Sequence, residues 1–320
     1  LNNQMAELDV ATSENNIQES IAQVYIQILY AAESVKVNEN TLQVSIAQRD
    51  RGQELLNAGS IAKSDLAQLE AQVSTDRYQL VTAQATLEDY KLQLKQLLEL
   101  DGENEMNIYL PALSDENVLA PLPTKRDVYI SALSLRPEIE ASKLNVEASE
   151  LGINIAKSSY FPTISLSAGI GTNHTSGSDF TFGEQVKNGW NNSIGLSVSV
   201  PIFNNRQTKS AVQKAKLQYE TSILSLLDEQ KALYKTIESL WLDANSAQQR
   251  YAAANEKLKS TQISYELISE QFNLGMKNTV ELLTEKNNLL QAQQEQLQAK
   301  YMAILNTQLL KFYQGDQLAL

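Results

Sequence analysis

The sequence predicts a mainly α protein of long antiparallel coiled-coil helices, interrupted once by a β-hairpin. Three observations carry that reading. Apolar residues recur at helical spacing over stretches much longer than an ordinary globular helix, with almost no Gly or Pro inside them. Two short segments instead alternate with period two, the mark of a strand. The chain also repeats itself. "LLNAGSIAKSDL" (55–66) and "QFNLGMKNTVEL" (271–282) align without gaps, so that Asn57, Gly59, Asp65 and Leu66 meet Asn273, Gly275, Glu281 and Leu282 at an offset of 216.

Residues 1–56 contain no Pro and only Gly52, and Ile17, Ile21, Val24, Ile28 and Leu29 recur at helical spacing. A break at "NAGSIAKSD" leads to a second helix over about 64–100. Its Leu66, Leu69, Val73, Leu80, Leu87, Leu94 and Leu97 form a heptad seam, with Ala83 and Tyr90 in register. So narrow a seam packs against other helices and not against a broad globular core. The short break folds 1–100 into an antiparallel hairpin with its tip near 57–64. Asp101-Gly102, Pro111, Pro121 and Pro123 mark a connector over 101–136, with a short helix at about 124–135.

Pro137 suits the first position of the next helix, 137–160, which ends before Pro162. The hairpin occupies 161–203. Ile164, Leu166 and Ile170 alternate with Ser165, Ser167, Gly169 and Gly171; Ile194, Leu196, Val198 and Val200 alternate with Ser193, Gly195, Ser197 and Ser199. A Gly-, Asn- and Ser-rich loop, about 172–189, joins them. No Gly or Pro interrupts Asn204 to Phe272, and the break at "NLGMKNTV" leads to a last helix. Residues 204–313 are thus a second helical hairpin with its tip near 273–280, followed by a tail, 314–320. The repeat offset pairs Tyr25 with Trp241 and Leu94 with Leu310, and sets Leu1 opposite Leu217. On that alignment the first copy lacks the counterpart of 137–216, so an N-terminally truncated first repeat is expected.

Composition narrows the function classes. A formal net charge of -12 argues against nucleic acid, whose phosphates require Lys and Arg. The absence of Cys excludes disulfides and thiolate metal sites. No run approaches the eighteen or so apolar residues of a transmembrane helix. His174, the lone histidine, has no acidic companions nearby. With no phosphate-cradling Gly loop and no convergent acid pair, neither an enzyme nor a metal or cofactor site is expected.

Four features together resemble the TolC-like outer membrane factors, the outer membrane efflux protein family. They are "LRPEIEAS" opening a helix, "SSYFPTISLSAG" entering a strand, "LSVSVPIFNN" leaving one, and the twice-occurring N-x-G-x5-[DE]-L. The resemblance covers essentially all 320 residues. It implies an α-barrel protomer whose β-hairpin contributes to a trimeric outer-membrane β-barrel. The homotrimer would be a passive conduit in the outer membrane of a Gram-negative bacterium, extending into the periplasm. Its partners would be outer-membrane lipid, a periplasmic adaptor (membrane fusion protein) and an inner-membrane pump.

The resemblance also assigns sites. The loops carrying Asn57, Gly59, Asp65 and Leu66, and Asn273, Gly275, Lys277, Glu281 and Leu282, would lie at the periplasmic tip where adaptors dock. Glu281 matches a position where the family often places an entrance-ringing Asp; a second family acid is Thr284 here. Lys277 matches a basic position tied to gate-holding or adaptor contacts. Plainer readings stand beside these. Gly59 and Gly275 suit helix ends, Asp65 and Glu281 suit a helix N-terminus, and Lys277 suits an exposed turn.

The hairpin agrees with a barrel on physical grounds. An isolated hairpin is marginally stable, and a sheet in lipid must close. Apolar residues on one face and small ones on the other are the barrel pattern. Tyr160, Phe161 and Phe203 at one end, and Phe180, Phe182 and Trp190 at the other, match two interfacial girdles. The alternatives are a soluble β-sandwich hairpin, and for the whole chain a soluble periplasmic coiled-coil scaffold or adaptor protein.

Overall fold

The structure, a computed structural model, describes residues 1–100, 108–109 and 118–318. The part of the expected connector that holds Asp101, Gly102 and Pro111 lies outside the described residues, as do positions 319–320 of the tail. The elements in chain order are α1 (Asn2–Asn57), α2 (Lys63–Leu97), α3 (Lys125–Leu135), α4 (Pro137–Ser158), β1 (Thr163–Gly171), α5 (Phe182–Asn188), β2 (Asn191–Ser199), α6 (Gln207–Asn273) and α7 (Thr279–Gln314). α6 runs for 67 residues without a break, as the absence of Gly and Pro there requires.

The repeat is written into the backbone. Both tips end their first helix in a Schellman turn, with Gly59 at φ 73° and Gly275 at φ 75°. Gly59 N donates to Leu56 O and Gly275 N to Phe272 O, each at 2.9 Å; Ser60 N donates to Leu55 O and Met276 N to Gln271 O, each at 2.8 Å. α2 and α7 then begin at equivalent residues, Lys63 and Thr279. The far ends of these helices match as well. Leu100 N donates to Lys95 O (3.0 Å) and Asp316 N to Lys311 O (3.1 Å), with Glu99 (φ 52°) standing where the second repeat has Gly315 (φ 101°).

The chain divides into two compact units. One comprises residues 1–5 and 141–229, the other 6–140 and 230–320. In the first, β1 and β2 pair antiparallel from Thr163↔Ser199 to Gly171↔Asn191. The loop joining them is less irregular than its composition suggests. Thr181 N and Oγ1 both donate to the Glu184 carboxylate, at 3.0 and 2.8 Å, and this starts the short helix α5 at Phe182.

The second unit holds the core. Ile26, Leu29, Tyr251, Leu297, Tyr301 and Ile304 form one buried cluster, and Val128, Ala132, Ile139, Ile237 and Leu310 another. Tyr25 and Trp241, equivalent by the repeat, each donate to a connector carbonyl: Tyr25 Oη to Tyr109 O (2.7 Å) and Trp241 Nε1 to Pro123 O (3.0 Å). The "RPE" signature has a local cause. The residue before a proline is pushed to extended geometry, so Arg136 (φ -76°, ψ 124°) ends α3 while Pro137 opens α4. Arg136 Nη2 then reaches Glu19 (3.0 Å), its Nε reaches Glu138 (2.8 Å), and its guanidinium lies 4.1 Å from the Tyr313 ring centroid.

Glu99 supplies a stability test. A β-carbon in the left-handed region costs about 1–2 kcal/mol. Glu99→Gly is expected to raise the urea midpoint of the purified protein, the unfolding free energy rising by roughly half to all of that. Gly315→Ala is expected to lower it, because the new Cβ also falls 2.6 Å from Leu135 Cδ1.

Candidate functional site

The tip at 273–280 is built around Glu281. Asn278 caps α7, its Oδ1 accepting from Glu281 N at 2.9 Å, while Asn278 N donates back to Glu281 Oε2 at 3.2 Å. Lys277 Nζ donates to Glu281 Oε1 at 2.5 Å. The Lys277 hydrogen bond, then the bond from the Asn278 backbone, hold the Glu281 carboxyl below its ordinary value of 4.5. The tip at 57–64 repeats half of this arrangement. Asp65 Oδ2 accepts from Ala62 N at 3.0 Å, but Ala62 has no side-chain oxygen, and Asp65 N donates to the Ala62 backbone carbonyl at 3.0 Å instead. Both carboxylates therefore cap helices in this structure, and Thr284 turns its hydroxyl back to Val280 O (2.8 Å).

Other tip residues divide by exposure. Leu66 and Leu282 are buried, Leu282 in one cluster with Leu69 and Phe272. Gly52 makes room for Leu69, since a Cβ there would lie 2.4 Å from Leu69 Cδ1. Gly59 and Gly275 are exposed in the turns, and Asn57 and Asn273, the last residues of α1 and α6, are exposed beside them. The second loop also exposes Leu274, Met276 and Val280, where the first carries Ala58, Ser60 and Ser64.

Above the tips lies a polar node that the heptad reading passes over. Asp76, 1% exposed, occupies a seam position of α2 between Val73 and Leu80. It accepts hydrogen bonds from Ser45 of α1 and Lys286 of α7, and from Gln72 Nε2 at 2.8 Å; Lys286 also donates to Ser45. Lys286 is 3% exposed. Burial pulls its ammonium below its ordinary range, and the bond to Asp76 opposes that shift. Three helices thus share one buried ion pair. Half of its sequence signal was available: Asp76 falls on the otherwise uncharged α2 seam, and a buried charge needs a partner.

The hairpin presents a second surface. The register sets Ile164 opposite Val198, Leu166 opposite Leu196 and Ala168 opposite Ile194, so the apolar residues of both strands share one face. Ser165 faces Ser197, Ser167 faces Gly195 and Gly169 faces Ser193 on the other. Every strand residue is exposed in the single chain, Leu166 to 76% and Ile194 to 85%. Ile170, at the end of β1, lies opposite Asn192, and Val200 falls just beyond the end of β2. Tyr160, Phe161, Phe180, Phe182, Trp190 and Phe203 are likewise exposed, Phe182 as the first residue of α5. His174 stands edge-on to the Phe182 ring at 5.2 Å.

Two outcomes follow from this geometry. Lys286→Met strands a buried carboxylate and is expected to cost about 3–5 kcal/mol, while Lys286→Met with Asp76→Leu recovers most of that loss in a denaturant double-mutant cycle. Lys277→Ala is expected to return the Glu281 titration, followed by NMR, toward 4.5. The stabilisation from a depressed carboxyl is present above its unfolded value and lost as pH falls through its folded one. That acid-side loss therefore shrinks in Lys277→Ala.

Comparison with known proteins agrees with this architecture. The outer membrane efflux protein BepC of Brucella suis biovar 1 is 24% identical over 294 residues, which span 91% of this chain and 61% of the relative. The outer membrane protein TolC of Escherichia coli K12 is 24% identical over 304 residues, spanning 92% and 60%. The chain therefore extends over about three fifths of the length of these relatives. Among solved structures, CusC superposes with a TM-score of 0.80 at 18% identity, covering 98% of this chain and 71% of that one, which fixes the fold. The profile of the outer membrane efflux protein family matches residues 128–315, taking in Arg136, the hairpin and the second tip. The chain belongs to the outer membrane efflux protein family.

Proposed function

We propose that this chain is the channel-forming part of an outer-membrane conduit in a tripartite efflux or secretion system. Three copies build the channel, each lending its hairpin to a shared β-barrel and its helices to a tunnel through the periplasm. One observation carries the reading. Two paired strands expose a continuous apolar face backed by Ser and Gly, a surface that water does not favour and that lipid on one side and a lumen on the other would satisfy. The aromatics flanking the strands are the side chains expected at membrane interfaces.

On this reading the loops at 57–64 and 273–280 form the periplasmic end. A periplasmic adaptor engages them and, together with an inner-membrane pump, opens the helical tip; the conduit itself does no chemistry. The exposed Leu274, Met276 and Val280 give the second loop an apolar contact surface. The formal charge of -12 favours a cation-preferring pore.

Reconstitution of the full-length protein in planar bilayers tests the proposal. Channels with a cation-selective reversal potential are expected, and Glu281→Gln is expected to weaken block by multivalent cations. Clear anion preference would defeat the acidic-tunnel reading. A water-soluble protein without conductance would replace the conduit by a periplasmic coiled-coil scaffold.

A further inference from the structure

The two strands join their helices through segments that leave the same end of the hairpin. The register opens on Thr163↔Ser199, so the chain enters β1 and leaves β2 side by side. Nine residues at about 3.3 Å each make a strand of roughly 30 Å, which at the tilt of a barrel stave covers about the 25 Å of an apolar membrane band. Residues just before Thr163 and just after Ser199 then fall where acyl chains give way to headgroups.

Their side chains follow that order. Phe161 and Phe203 come first, 68% and 87% exposed. Lys157 comes next on one segment, and Arg206 and Lys209 on the other. Lys214 and Lys216 continue the series, ending about 15 Å along α6 from Arg206. All of these basic residues are exposed, and none makes an ion pair or a side-chain hydrogen bond among the described residues.

Neither segment holds a carboxylate. Between Glu150 and Asp179, and again between Glu184 and Glu220, the sequence has no Asp or Glu. Elsewhere basic side chains meet acids, as Lys91 meets Glu88, Lys125 meets Glu238 and Lys257 meets Glu295. The opposite end of the hairpin also mixes its signs, with Asp179 and Glu184 accompanying Lys187. A chain of formal net charge -12 therefore gathers an unanswered positive patch beside a surface that water disfavours.

The order of surfaces identifies the anion. Apolar strands, exposed aromatics and basic side chains succeed one another as acyl chain, glycerol ester and phosphate do within one phospholipid. Long Lys and Arg stems can lie along the apolar part while the charge stays at phosphate level. A zwitterionic headgroup also offers a phosphate, but it brings its own ammonium, so the patch gains less from it.

We propose that Lys157, Arg206 and Lys209 hold the phosphates of anionic phospholipid at the periplasmic rim of the barrel, with Lys214 and Lys216 strengthening the field beneath it. The inference rests on the reading of the hairpin as a barrel stave, and goes beyond it by selecting the headgroup. Phosphatidylglycerol is held in preference to phosphatidylcholine.

The full-length protein, reconstituted in vesicles, tests it. These 320 residues contain no cysteine, so Ser210→Cys, in a chain free of other cysteines, carries a fluorophore at the rim. Brominated phosphatidylglycerol and brominated phosphatidylcholine are compared as quenchers at equal mole fraction. The anionic lipid is expected to bind on the order of fivefold tighter, and about 0.5 M salt to narrow the difference. Lys157→Gln/Arg206→Gln/Lys209→Gln is expected to abolish the preference, and Lys187→Gln, at the other end of the hairpin, to leave it intact. Conductance is measured on the same vesicles. Conducting channels that bind both lipids equally would overturn the rim and leave the conduit standing. A preference that survives the triple substitution would also overturn it, and a shifted reversal potential would then assign the charges to the lumen. A label that neither lipid quenches, in protein without conductance, would overturn the rim and the membrane reading together.

Discussion

A charge placed on the seam of a coiled coil has to be answered from the facing helices, and Asp76 is that charge here. Ser45, Gln72 and Lys286 answer it from within α2 and from its two neighbours. Apolar seams tolerate sliding, because one Leu replaces another with little loss. A buried ion pair with directed hydrogen bonds does not, since a shift of one turn leaves both ions desolvated and unmatched. The node therefore fixes the axial register of α1, α2 and α7 at one level. The tip turns, only a few helical turns away, inherit their positions from it.

Around that fixed point the two repeats share a backbone and differ in chemistry. Matching Schellman turns and helix starts give both tips one geometry. One tip adds a complete capping box, a Lys277–Glu281 ion pair and three exposed apolar side chains; the other has a half cap and small residues at those three positions. The same division holds farther along, where Tyr25 and Trp241 use different rings to hold connector carbonyls. Duplicated scaffolding with unlike surfaces lets one fold present two different faces to its neighbours.

Much of this was legible in the residues. Unbroken helical periodicity set the long helices, and Gly59 and Gly275 marked both tips, because left-handed backbone there needs glycine. The hairpin was legible because alternation over nine residues has no helical explanation. What escaped was polar and local. Asp76 and Lys286 were invisible to a search for apolar periodicity, although Asp76 falls in the register of the α2 seam. The helix α5 was hidden among Gly, Ser and Asn, yet its start is written in Thr181 and Glu184 as a capping box. Arg136 was legible as part of a signature but not as the point where neighbouring Glu138 meets Glu19 and Tyr313, which are distant in sequence.

The pairing of β1 with β2 has one more consequence. Each strand has satisfied one edge and offers the other, and the two free edges run in opposite directions. In the proposed barrel, rotation about an axis along the strands keeps those directions, so each hairpin offers an antiparallel edge to the hairpin on either side. No strand has to be flipped and none is left over. A wall built from whole hairpins has an even number of strands whatever the number of copies.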